Sequence, residues 1–133
     1  MKKTLAIIAI FLLFALPSFA ADTTMELDFA WKQATADLPN LKEWGLYIYN
    51  TPGGTKPAPN VVAYTTGNGP FTTSQTFTVT GLPGTNVRRY FVMDAVSKNG
   101  NRTGFSNEVF YDFPIPFSDL TTPMSLTVTV HVK

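Results

Sequence analysis

The stretch from Phe77 to Ala95 constrains the fold more than any other part of the chain, because it contains two alternating patterns joined by a tight turn. Apolar residues alternate with threonines in Thr76–Thr80. In Arg88–Ala95, the set Arg89, Phe91, Met93 and Ala95 alternates with Arg88, Tyr90, Val92 and Asp94. A period of two residues predicts β-strands. Between them Gly81–Gly84, with the sequence GLPG, supplies glycines that accept positive φ and a proline that fixes φ, which predicts a turn.

Further strands follow from the same period along the chain. Polar and Gly/Pro-rich stretches separate them, and outside the first twenty residues no helical period is sustained. The chain is therefore predicted to form an all-β, two-sheet antiparallel β-sandwich with essentially no helix. The remaining predicted strands are Met25–Trp31, Trp44–Tyr49, Val61–Thr66, Phe71–Thr80 and Phe105–Phe113. The side chains predicted to meet in the layer between the sheets are Trp31, Trp44, Phe77, Val79, Phe91, Met93 and Val109.

The first twenty residues have the pattern of a secretory signal peptide. Lys2 and Lys3 precede an apolar run over Leu5–Leu16, and the segment ends in small residues at Ser18 and Ala20. This arrangement predicts cleavage after Ala20. The apolar run is shorter than the ~20 residues that a membrane-spanning helix needs. We therefore expect a secreted, periplasmic or cell-surface protein with no membrane span after cleavage.

Composition excludes several classes of function. Without Lys2 and Lys3, the chain has eight basic residues against nine acidic ones, a net charge of −1. This balance, with no basic run, argues against a nucleic-acid partner. The chain has no cysteine, so a thiolate metal site and a cysteine nucleophile are excluded. The length left after cleavage suits a single domain.

Four stretches of the sequence resemble a fibronectin type III domain. They read LDFAW, LKEWGLYIY, FTVTGLPGT and YFVMDAVSKNGNRTGFSNEV, and the last is the most specific of them. The resemblance covers about Met25–Phe113 and implies an immunoglobulin-like sandwich, here in a bacterial exported, single-domain form. Two features depart from the family pattern. Arg89 stands where the family usually has a tyrosine, and almost no chain remains before Met25 to form the family's first strand.

The C-terminal segment adds a strand that the family pattern does not contain. Leu126, Val128, Val130 and Val132 alternate with polar residues. The predicted organisation is a signal peptide over 1–20, the fibronectin type III-like domain over 21–113, a Pro-rich linker over 114–124 and the extra strand over 125–133. This strand could complete or extend its own sandwich, donate itself to a neighbouring molecule to build a polymer, or form a loose tail.

No catalytic constellation is visible in the sequence. His131 is the only histidine and lies near the C-terminus on the polar side of a predicted strand. Glu26 and Asp28 project together, as in a cation site or an acid/base pair, but the solvated outer face of a half-buried strand also explains them. No phosphate-binding loop occurs. The expectation is a protein that is not an enzyme, with no catalytic residues, no cofactor and no metal site.

An aromatic face is the most suggestive feature for function. If Trp44, Leu46 and Ile48 face the core, alternation turns other side chains of three neighbouring strands outward. These are Tyr47, Tyr49, Arg88, Tyr90 and Phe110, which we call the aromatic face. Rigid aromatic area with polar tips suits protein contact or stacking on sugar rings. We therefore expect a non-catalytic interaction or structural module of the cell envelope, with a protein partner or self-association. The alternatives are a polymer subunit assembled by C-terminal strand donation, and a small carbohydrate-binding module that takes polysaccharide with Tyr47, Tyr49 and the Pro52–Pro59 loop.

Overall fold

The computed structural model describes residues 20–117, which form six strands and one short 3-10 helix. The bounds are β1 Ala21–Trp31, the 3-10 helix Thr35–Asn40, β2 Leu41–Tyr49, β3 Asn60–Ala63, β4 Phe71–Gly81, β5 Asn86–Ser97 and β6 Val109–Pro114. One antiparallel sheet has the order β1-β4 and the other has the order β3-β2-β5-β6. The predicted all-β architecture of two antiparallel sheets is confirmed.

The two-stranded sheet is longer than its sequence pattern indicates. β1 begins at Ala21 rather than Met25, and its eleven residues pair with β4 from Ala21 opposite Gly81 to Trp31 opposite Phe71. The four added residues, Ala21–Thr24, carry little apolar bulk, so alternation alone did not indicate them. Pairing with the threonine-rich β4 extends the strand to the first residue after the predicted cleavage site.

Large side chains from both sheets fill the space between them. One buried cluster contains Leu46, Phe77, Val79, Phe91 and Phe113, and a second surrounds Trp44 at the other end of the sandwich. Phe77 lies edge-on to both Phe91 and Phe113, with ring centroids 5.4 and 6.4 Å apart, an arrangement that aromatic pairs favour. The predicted core positions Trp44, Phe77, Val79 and Phe91 are buried.

Val109 is a wrong core prediction, because 47% of its surface is exposed. Trp31 and Met93 are only half-buried, although they face inward as expected. All three residues line an open groove on one side of the sandwich. The two-stranded sheet is narrower than the four-stranded sheet beneath it, so it does not cover the side chains that line this groove.

The last strand also differs from its prediction, since β6 begins at Val109 rather than at Phe105. The preceding segment still follows β5, but side-chain oxygens replace part of the backbone ladder. The Ala95 N–H donates to Thr103 Oγ1 and the Met93 N–H donates to Ser106 Oγ, both at 2.9 Å. Alternation cannot reveal a segment of this kind, because its hydroxyl side chains turn toward the β5 backbone and take the place of carbonyls.

Packing continues beyond Phe113, since Pro114 ends β6 and Ile115 is buried against the turn after β4. Within residues 20–117 no helix is long and apolar enough to cross a membrane. The predicted signal peptide, apart from Ala20, and the predicted C-terminal strand with His131 lie outside the described residues.

Candidate interaction surface

Three residues of the aromatic face form one row across the four-stranded sheet. Tyr49 pairs with Tyr90 across β2 and β5, and Tyr90 pairs with Phe110 across β5 and β6. The rings of Tyr49 and Tyr90 stack with centroids 6.0 Å apart, and those of Tyr90 and Phe110 lie 6.3 Å apart. Tyr47 lies two residues before Tyr49 on the same side of β2. Cross-strand pairing thus brings these aromatic residues together on the outer side of the sheet.

Tyr47 and Tyr49 are covered rather than exposed, unlike the expectation for an outward face. Their exposed fractions are only 8% and 3%. Two loops fold over this half of the outer side, Asn50–Pro59 and the segment Arg102–Glu108. The alternation rule gives the side of the sheet correctly, but it cannot indicate that loops form a further layer there.

Over Tyr47 the cover is a polar network. The Tyr47 hydroxyl donates to Asp94 Oδ2 at 3.0 Å, and Arg102 Nη1 donates to both oxygens of Asp94 at 3.1 and 2.9 Å. Arg102 Nη1 also donates to the Tyr47 hydroxyl, and the ring of Phe105 lies edge-on at 5.2 Å. Burial and the hydrogen bond to Asp94 raise the pKa of Tyr47, while the same carboxylate raises the pKa of Arg102.

Over Tyr49 the cover combines a carboxylate and a cation. The Tyr49 hydroxyl donates to Glu108, which also accepts the Gly53 N–H at 2.8 Å. Lys56 Nζ lies 4.5 Å from the ring centroid of Tyr49 and 4.9 Å from that of Phe105. Burial, followed by the bond to Glu108, raises the pKa of Tyr49 to about 12. The hydrogen bonds from Tyr49 and Gly53 lower the pKa of Glu108. These contacts tie both loops to the sheet.

The other half of the aromatic face remains open to solvent. Phe110 is 56% exposed, and the guanidinium carbon of Arg88 lies 3.9 Å from its ring centroid. Arg88 donates to both oxygens of Asp112 at 2.7 and 2.8 Å, which raises the pKa of Arg88 and lowers that of Asp112. Phe105, at the edge of the covering loop, is also 52% exposed. The accessible aromatic surface is therefore built from Phe105, Tyr90, Phe110 and Arg88.

Sequence reasoning missed the residues that hold the cover in place, namely Lys56, Asp94, Arg102, Phe105 and Glu108. One signal was present for Asp94, which is an acid inside the otherwise apolar run Phe91–Val96. Its cross-strand partner is Gly45, a residue without a side chain in an aromatic strand. An acid opposite a glycine inside apolar strands indicates a buried carboxylate with partners. The other four residues lie in loops, where no period predicts their direction.

Three carboxylates on the outer side of the sheet have hydrogen-bond partners within the protein. Among the described residues, no group of three or more His, Asp or Glu side chains is arranged to hold a metal ion. The carboxylates of Asp94, Glu108 and Asp112 are each engaged by hydroxyl, amide or guanidinium donors. No family model, curated protein or solved structure matches this chain.

Proposed function

We propose that this protein is an exported, non-catalytic interaction module that binds a protein partner through the open half of its aromatic face. The observation that carries this proposal is the exposed ring of Phe110. Arg88 and Tyr90 on the neighbouring strand contact this ring and fix its position. Aromatic and arginine side chains dominate the binding energy of protein interfaces. Because Arg88 is fixed by Asp112, ordering this surface on binding costs little side-chain entropy.

The strand order supports a fibronectin type III-like form of the sandwich. The order β3-β2-β5-β6 opposite β1-β4 corresponds to such a domain without its first strand. The leader-like residues before Ala21 support export to the periplasm, the cell surface or the medium. N-terminal sequencing of the protein recovered from its host tests export, and we expect the chain to begin at Ala21. A chain that keeps Met1–Ala20 would contradict export by this leader.

The burial of Tyr47 and Tyr49 weighs against the carbohydrate-binding alternative. Stacking on a sugar needs an open ring face. Tyr90 lies on one side of Tyr49 and Lys56 is positioned over its ring, while Tyr47 is enclosed with Asp94 and Phe105. Protein contact does not depend on these two rings, because the open half of the face lies farther along the sheet.

A photoreactive amino acid at position 110, in the protein expressed in its own host, tests the proposed interface. We expect covalent adducts with a protein of the cell envelope or with a second copy. The matched control carries the same group at Thr76, which is exposed on the outer side of the other sheet. Adducts from position 110 that are absent from position 76 support the interface. Identical adducts from both positions, or none from either, would show that this face is not the binding surface.

A further inference from the structure

One edge of the two-stranded sheet has no strand beside it in the described part of the chain. Among residues 20–117, β4 is the only strand that pairs with β1. β1 is eleven residues long, and every inward side chain from Thr23 to Trp31 is only half-buried. A long edge with unpaired backbone groups and an apolar face is a template for pairing with another strand.

A groove of about 370 Å³ lies beside the last residues of this edge, Phe29–Trp31, and the segment before β6 forms its other wall. Its walls are mainly apolar and come from both sheets. They include Phe29, Trp31, Phe91, Met93, Phe105 and Val109. The side chains of one further strand on the β1 edge would project into this groove, because adjacent strands share the same inner face. Such a strand would cover the exposed side of Val109.

The edge of β6 is a weaker site for an added strand. β6 has only six residues and ends in Pro114, which has no backbone N–H to donate. Its inward residue Phe113 is already fully buried. Short length and a proline are features that protect an edge from pairing. The inward side chains that another strand could still cover are therefore those beside the edge of β1.

We propose that residues Ser125–Lys133 of the same chain pair in parallel with the open edge of β1. Their alternation would turn Leu126, Val128, Val130 and Val132 toward the other sheet. Val132 would lie beside Phe29 and enter the groove. The opposite side chains, Thr127, Thr129, His131 and Lys133, would continue the outer face of the sheet. That face of β1 carries the acidic residues Asp22, Glu26 and Asp28, and the segment adds a lysine and a histidine but no acid.

The direction follows from where the described chain leaves the sandwich. Ile115 hydrogen-bonds to the turn between β4 and β5, and the Phe117 side chain lies against Gly84 in that turn. Gly81, just before this turn, is the partner of Ala21 at the start of β1. The described chain therefore ends near the beginning of β1. A parallel strand can start there and run toward the wide groove at Phe29.

Antiparallel pairing within the molecule would fill the same groove only if the linker between Phe117 and Leu126 were almost fully extended. Leu126 would then have to lie beside Phe29, about 27 Å along β1 from Ala21. The nine steps from Phe117 to Leu126 span at most about 32 Å when fully extended. In the parallel arrangement Leu126 lies near Thr23, so the same linker is slack. A tether that reaches easily also favours the chain's own segment over that of a neighbour, because its effective concentration is in the millimolar range.

Pairs of introduced cysteines test both partner and direction, since the full chain has no native cysteine. The parallel register places Thr127 beside Thr24, within the separation that a disulfide spans. We expect the full-length Thr24→Cys/Thr127→Cys variant to form a disulfide within one molecule, at a rate independent of protein concentration. The matched control is Asp28→Cys/Thr127→Cys, whose two positions are neighbours in the antiparallel register and lie four residues apart in the proposed parallel register. Each variant loses one exposed side-chain hydrogen bond to β4.

Three outcomes would overturn the proposal. Disulfide-linked dimers or ladders would assign the segment to a neighbouring molecule. Faster cross-linking of the control would contradict the proposed parallel register, and no cross-link in either variant would leave the β1 edge without this segment. Hydrogen exchange on the unmodified full chain gives a check that needs no variant. The amide groups of β1 that do not donate to β4 are expected to be protected, and free exchange at these positions contradicts the pairing.

Discussion

Gly45 and Asp94 are cross-strand partners on β2 and β5, and the missing side chain of the glycine provides the space for the carboxylate. A Cβ atom at position 45 would lie 2.6 Å from Asp94 Oδ1 and 3.0 Å from the Cβ of Pro59. Asp94 is only 4% exposed and is paired with Tyr47 and Arg102. The glycine therefore permits a buried carboxylate, which the partly exposed Arg102 pairs from the loop side.

Gly45→Ala is expected to destabilise the fold by about 1–3 kcal/mol, because overpacking displaces a buried carboxylate and its partners. Urea denaturation followed by far-ultraviolet circular dichroism measures this loss. Gly104→Ala is the matched control, since a Cβ there would meet nothing within 4 Å and its φ is not in the left-handed region. A free energy of unfolding that is equally unaffected in both variants would contradict the packing described for Asp94.

Asp94→Ala should reduce the free energy of unfolding by about 1–3 kcal/mol, because it leaves the buried Tyr47 hydroxyl without its acceptor. Asp112→Ala removes a carboxylate that also binds an arginine, Arg88, but in the open. Exposed ion pairs contribute little, so this variant is expected to lose less stability. Chemical denaturation of the two variants side by side makes the comparison. A larger loss for Asp112→Ala would contradict the assignment of Asp94 as the carboxylate that is buried and paired.

The sandwich could be predicted from the sequence because alternation reports which side of a strand is buried. It identified the inward set Trp44, Phe77, Val79 and Phe91 and brought Tyr90 beside Phe110. The same rule predicted burial wrongly at Val109. This side chain faces the inner side of the sheet as expected, but the other sheet does not cover it. Alternation carries no information on how wide the opposite sheet is.

The loops that cover Tyr47 and Tyr49 could not be predicted from the sequence, for a different reason. Lys56, Phe105 and Glu108 lie in irregular segments, where each backbone torsion sets its own direction. Their positions depend on contacts with Tyr49 that form only after the sheet is assembled. A sequence pattern can indicate that loops lie near this face, but the tertiary contacts decide which rings they bury.

Phe113→Ala is expected to cost about 3–5 kcal/mol, because Phe113 is completely buried and its removal leaves a cavity between Phe77 and Tyr111. Phe110→Ala, on the same strand but the opposite side, is the matched control and is expected to change stability by about 0.5 kcal/mol or less. Thermal and urea unfolding of both variants distinguish the two sides of β6. Equal losses would mean that β6 does not have the described register.

Glu108 accepts hydrogen bonds from Tyr49 and from Gly53 of the loop Asn50–Pro59. Its folded-state pKa is lowered from the ordinary 4.5 by the hydrogen bonds from Tyr49 and Gly53. A lowered pKa contributes stability above pH 4.5, and this contribution is lost as the pH falls through the folded-state value. We expect Glu108→Gln to show a shallower fall in unfolding free energy below pH 4.5 than the unmodified protein. Parallel acid limbs for the two proteins would contradict a role for Glu108 in acid sensitivity.

Tyr49 gives the opposite dependence at alkaline pH. Burial and the Glu108 carboxylate raise its pKa from 10.0 to about 12, so the folded state retains a proton that the unfolded chain releases earlier. A raised pKa contributes stability that is complete below pH 10 and is lost as the pH rises toward about 12. We therefore expect the unfolding free energy of the unmodified protein to decline over this window, and to decline less steeply in Tyr49→Phe. Urea midpoints at several pH values measure the slope, which separates this effect from the pH-independent loss of the hydrogen bond. Identical slopes would mean that the Tyr49 hydroxyl is not held under the loop as described.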